Sequence, residues 1–196
     1  MQEMLKTTPH TQFGEHLCCV YESVDDKLSM IVPFISIGLE LNEKCVCIAD
    51  QSTLSRLEKA LERIGVDVDR YQDFGQLILK TDAEICPLVK SFISDDNRES
   101  GIRALARETL SEGYRGYRSV VDVTQLINDI DGNALIHREI KLNTLLPKIP
   151  AMMLLLYNRA HLPEYVISDI FRIHPRIVDG AHVYENPHFI PPDELL

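Results

Sequence analysis

The sequence predicts an α/β fold of three layers, with a mostly parallel central sheet, helices on both of its faces and a C-terminal hairpin. Three observations point there. Strand-like segments alternate with segments of helical periodicity over most of the chain. Two of the strands, Cys45–Ala49 and Met152–Leu156, are unbroken apolar runs, as a sheet covered on both faces requires. The chain has 196 residues, 45% hydrophobic and 26% charged, enough for one domain to bury a core without staples. We expect a polar N-terminal arm over residues 1–13 and a single domain over residues 14–196.

The elements follow in order. Leu17–Tyr21 reads as the first strand. Asp25–Leu41 reads as a helix, because Leu28, Ile31, Val32, Ile35 and Leu39 recur at helical spacing. Pro33 lies inside it and predicts a kink, or a start nearer that residue. Cys45–Asp50 is the second strand. Gln51–Thr53 supplies a cap for a helix over Leu54–Ile64. Asp67–Phe74 is a helical turn stopped by Gly75, and Gln76–Thr81 is the third strand. Ala83–Ile93 is helical, Ser94–Asn97 is a polar break, and Arg98–Glu112 is a helix ended by Gly113. Tyr117–Val123 is the fourth strand. Asn133–Leu145 is a helix closed by Pro147 and Pro150, and Ala151–Tyr157 is the fifth strand. Pro163–Ile173 is a helix with proline at its first position. Asp179-Gly180 marks a hairpin within Arg176–Pro192, followed by an extended proline-rich tail.

Composition excludes several functions. A net charge of -10 opposes direct nucleic-acid binding, which needs a basic face. No apolar run is long enough to span a membrane, and no basic-then-apolar leader opens the sequence, so a cytoplasmic protein is expected. The five cysteines include no Cys-x-x-Cys pair and are read as free thiols. The hydrolase, zinc-protease and dinucleotide fingerprints are absent as well. No catalytic residue, cofactor or metal ligand is assigned.

Val32–Asp50, Leu57–Leu77 and Ser119–Thr124 resemble the RecA/KaiC-like layout, with Asp122 at the acidic position of its Walker B strand. The phosphate loop of that layout has no counterpart. Between the first strand and first helix stands Glu22-Ser23-Val24-Asp25-Asp26, with no glycine to close on a phosphate, and Lys27 follows three acidic residues. A second resemblance is more specific. Gly14–Ser23, Gly38–Asp50, Gly113–Arg118 and His174–Leu195 resemble the MEDS domain, a DcmR-like sensory domain with a RecA/KaiC-like fold. That resemblance implies a non-catalytic sensor of small molecules, often joined to a histidine kinase, a helix-turn-helix or an anti-sigma module. No such module is expected within residues 1–196. It also reads Leu154–Arg159 where relatives often carry a cysteine and an aspartate, so no thiol role is assigned to that strand.

The strand order implied by the RecA-like resemblance is three-two-four-one-five. It would gather the carboxyl ends of the strands, where open α/β sheets bind ligands. The candidate ligand-binding residues are His16, Tyr21, Glu22, Asp50, Asp122, Tyr157 and Arg159, a set suited to a small polar or cationic molecule. The bland reading is ordinary strand ends and helix caps. His16 and Cys18 share one strand face, and Cys45 and Cys47 share another. With a strand expected between the two pairs, they are read as core. Glu139 and Asn143 share a helix face at i, i+4 and point either to the crevice or to solvent. His174, His182 and His188 show no zinc spacing and are read as structural or exposed. Tyr184–Pro187 is read as closing over the sheet edge or the pocket.

The leading expectation is a sensory, regulatory domain that binds a small molecule at the strand ends. It would signal through contact with a regulatory protein (a histidine kinase or transcription factor) or through a homodimer interface. The alternative is a degenerate nucleotide-binding, ATPase-like enzyme. A third reading is an interaction module with an empty crevice.

Overall fold

Seven strands form one sheet in the computed structural model, which describes residues 12–81, 84, 98–124, 132–180 and 182–195. They are β1 (His16–Tyr21), β2 (Lys44–Ile48), β3 (Leu77–Lys80), β4 (Tyr117–Asp122), β5 (Ala151–Asn158), β6 (Arg176–Asp179) and β7 (His182–Glu185). The order is β3-β2-β4-β5-β1-β6-β7. Every pairing is parallel except the β6–β7 hairpin.

This order corrects the expected three-two-four-one-five. β5 stands between β4 and β1, pairing with Tyr117–Asp122 on one side and with His16–Tyr21 on the other. Its sequence explains the place. Seven of its eight residues are buried, and so continuous an apolar run suits the middle of a sheet covered on both faces. Two strands therefore separate the cysteines of β1 from those of β2, one more than expected.

The helices are α1 (Val24–Glu40), α2 (Gln51–Arg63), α3 (Val68–Asp73), α4 (Arg98–Ser111), α5 (Gly132–Leu145), α6 (Glu164–Ile173) and the short α7 (Pro192–Leu195). Alternation along each strand divides the core into two layers. Leu17, Cys19 and Tyr21 of β1 pack with Ile31 and Ile35 of α1 and Leu57 of α2. Cys18 packs on the opposite face with Tyr157 of β5, Ile102 of α4, Leu142 of α5 and Ile170 of α6. α1 lies close on its face at Gly38, where a Cβ would stand 2.6 Å from Cys45 Sγ and 2.7 Å from Arg118 Cδ. Arg118 is fully buried there. Its guanidinium meets the Glu43 carboxylate, donates to the Phe34 carbonyl at 3.3 Å and lies over the Phe34 ring.

Several boundaries differ from expectation. α1 runs through Pro33 and does not start there; the proline only withholds one N–H from the turn before it. α2 begins three residues earlier than Leu54, at Gln51, because Asp50 is its N-cap and accepts from Thr53 N at 2.9 Å. Pro163 is the N-cap of α6, one position outside the helix. The tail is not wholly extended, since Pro192–Leu195 is helical. Tyr184–Pro187 forms the edge strand and its exit, not a lid on the crevice. Asn186 there donates to the carbonyls of Phe171 and of His174, the latter at 2.8 Å. The expected arm up to Thr11, the helix over residues 85–93 and the break over residues 94–97 lie outside the described residues.

Candidate functional site

At the carboxyl end of the sheet, β1 delivers the chain to the N-terminus of α1 beside a crevice of about 320 Å³. In a phosphate-binding fold, the free amides of this helix end would face an anion. Here the chain supplies its own. Asp26 accepts from the backbone N–H groups of Glu22 (3.2 Å) and Ser23 (2.8 Å), and Ser23 Oγ accepts from Asp26 N at 3.1 Å. Ser23 and Asp26 thus form a capping box whose second member is an aspartate. The hydrogen bonds from Ser23 hold the Asp26 carboxyl below its ordinary range.

One turn into α1, Lys27 is buried, with 3% of its surface exposed. Its Nζ donates to Asp122 at 2.9 Å and to Asp50 at 3.1 Å, and it lies 4.8 Å from the centroid of the Tyr21 ring. Burial alone would depress the lysine, but the Asp122 carboxylate overcomes it and the ammonium is held above its usual range. Asp122 also accepts from Tyr21 Oη at 2.9 Å and from Thr124 N at 3.1 Å. Partial burial pushes Asp50 up, yet it is outweighed by Thr53, which donates both Oγ1 (2.5 Å) and N (2.9 Å), and by Lys27; the carboxyl drops to about 2. Thr124 Oγ1 lies 3.2 Å from Tyr21 Oη and accepts from Asn158 N at 3.2 Å. The buried Lys27 ammonium is thus shared by two carboxylates.

Four of the seven candidate residues come together: Tyr21, Glu22, Asp50 and Asp122 line the crevice. Arg159 does not; it is exposed and pairs with Glu164 at 3.0 Å, with Glu22 at 3.8 Å. His16 and Tyr157 sit on the opposite face of the sheet, buried under α5 and α6. There Glu139 and Asn143 turn inward to His16, neither into the crevice nor out to solvent. His174 is fully buried in the same place. Lining residues absent from the candidate set are Ser23, Val24, Lys27, Thr124, Asn158 and His161. Thr124 has a sequence signal, two residues beyond Asp122 at a strand end. Lys27 has a weaker one, as the first lysine after the first strand.

Cys18, Cys19, Cys45 and Cys47 are buried free thiols, distributed over both core layers. Burial pushes all four up, Cys47 to about 12, so they are protonated and unreactive near neutrality. Among the described residues no helix is long and apolar enough to cross a membrane.

Comparison with solved structures finds the same fold in a KaiC-like protein from the hyperthermophilic archaeon Pyrococcus horikoshii. The TM-score is 0.53 and the identity 18%, over 84% of this chain and 70% of that one. At that identity the likeness concerns the fold alone. Curated proteins gave no match. The model of the MEDS family, the methanogen/methylotroph DcmR sensory domain, matches residues 15–175. That span takes in β1 through α6, with the crevice and both core layers, and the chain belongs to the MEDS family of sensory domains.

Proposed function

We propose that the domain is a non-catalytic receptor. It binds a small polar or cationic molecule in the crevice at the strand ends and passes the signal to a regulatory protein by direct contact. The observation that carries this reading is the self-satisfied helix end. Asp26 occupies the amides at the start of α1, and Lys27 is tied to Asp50 and Asp122. A triphosphate entering here would meet three carboxylates and would have to displace a cap and an ion pair. A neutral or cationic guest meets the hydroxyls of Tyr21 and Thr124 and the half-exposed Asp50 carboxylate. Such a guest can signal only as far as it binds one arrangement of the Glu22–Lys27 turn better than another.

The experiment is thermal unfolding of the full chain across a library of small amines, alcohols and short carboxylates, with magnesium-ATP alongside. A guest present at a hundred times its Kd stabilises by about 2.7 kcal/mol. Stabilisation by a library compound, abolished in Thr124→Val and without response to ATP, supports the receptor. Magnesium-dependent ATP binding lost in Asp122→Asn overturns it in favour of a degenerate ATPase.

A further inference from the structure

On the face of the sheet away from the crevice, three side chains from distant parts of the sequence converge. His16 opens β1, Glu139 lies in α5, and His174 follows the last turn of α6. All three are buried, none with more than 1% of its surface exposed. One ligand atom of each lies within 4.8 Å of the others. His16 Nε2 stands 3.2 Å from Glu139 Oε2, and His174 Nε2 stands 4.0 Å from the same oxygen. The two imidazole rings lie 4.2 Å apart, centre to centre.

The surrounding hydrogen bonds fix which nitrogen faces inward. Asn143 Nδ2 donates to the Ile173 carbonyl at 2.6 Å, so its Oδ1 faces His16. That oxygen is 2.8 Å from His16 Nδ1 and can only accept, so Nδ1 carries the proton. His174 Nδ1 donates to the Ile170 carbonyl at 2.7 Å, which places its proton in the same way. Each ring therefore turns its Nε2 toward the Glu139 carboxylate. Neither Nε2 has a hydrogen-bond partner among the described residues. Two imidazole nitrogens and a carboxylate oxygen thus converge in the buried core, in an arrangement that could hold a metal ion.

We propose that His16, Glu139 and His174 form a buried site for one divalent transition-metal ion, with zinc as the reference case. Two imidazole nitrogens and one carboxylate oxygen suit a borderline ion; magnesium and calcium prefer oxygen throughout. The Asn143 side chain and the Ile170 carbonyl play the outer part usual in such sites, each fixing a ring by its far nitrogen. Three protein donors leave one position of a tetrahedral shell for a further ligand. Because the ligands are buried, the ion enters as the chain folds and exchanges slowly afterwards.

The test uses the full, untagged chain, unfolded with chelator and refolded with or without zinc chloride, then passed through a desalting column. The expected result is one zinc retained per chain, a higher Tm, and visible absorption when cobalt chloride replaces zinc. Glu139→Gln, close in volume to the wild type, loses the retained metal. Asn143→Ala keeps the three donors but weakens zinc about 10- to 100-fold, an effect that a packing role alone does not produce. His182→Ala, at an exposed histidine, retains the metal. Substoichiometric zinc in the refolded wild type overturns the site, as does full retention in Glu139→Gln. Both readouts are independent of any guest in the crevice, so the receptor reading stands or falls separately.

Discussion

The two faces of the sheet solve opposite electrostatic problems. Beside the crevice, the buried Lys27 ammonium has acceptors in Asp50 and Asp122, and both carboxylate oxygens that hold it also accept from a hydroxyl, of Thr53 or of Tyr21. Beneath α5 and α6, the Nε2 atoms of two buried imidazoles have no hydrogen-bond partner among the described residues. The first arrangement is complete without a guest, so a ligand there reads a surface that already exists. The second is completed by the ion proposed above. The contrast teaches that polarity at strand ends is weak evidence for a ligand, whereas buried ring nitrogens without a hydrogen-bond partner are stronger evidence.

The sharpest way to break this comparison is to remove the crevice's cation. Lys27→Met leaves Asp122 buried and unpaired and is expected to cost about 3 kcal/mol in urea unfolding. Adding Asp122→Asn should restore part of it; no recovery in the double variant would mean that Lys27 acts through packing alone. On the other face, Glu139→Gln in chelator-stripped protein replaces the carboxylate by an amide that can donate to an unprotonated ring nitrogen and is expected to raise stability by about 1 kcal/mol. A loss instead would show that a proton shared with Glu139, not an ion, completes the cluster. Ser23→Ala removes half of the capping box and should cost about 1 kcal/mol, measured the same way. The smallest effect is with acid. The Asp50 carboxyl is lowered in the folded chain, so its contribution is present above the ordinary value of 3.8 and is lost as pH falls toward about 2. Screening at this half-exposed site limits it to about 1 kcal/mol. Acid titrations of wild type and Asp50→Asn should differ only in that window.

Much of the fold was legible because burial on both faces writes itself into composition. Cys45–Ala49 and Met152–Leu156 could only be interior strands, and the helix periods between them left only the α/β class. Strand order was not legible in the same way. It depends on which strand is most apolar relative to the others, and β5 wins the place beside β4 that analogy gave to β1. The crevice was partly legible, since Tyr21, Asp50 and Asp122 sit where chain direction puts strand ends. Lys27 was hidden by its neighbours: after three acidic residues it reads as solvated, and only the turn of α1 shows it pointing inward. His16 and His174 lie near opposite ends of the sequence, and Glu139 and Asn143 have the spacing of any polar helix face. Nothing local announces that the sheet folds all four together.

Asn186 gives the outer ribbon a rivet. Its side-chain amide fastens the exit of β7 to the main chain of Phe171 and His174. The ribbon is thereby anchored to the main chain of the residue whose ring lies in the buried cluster.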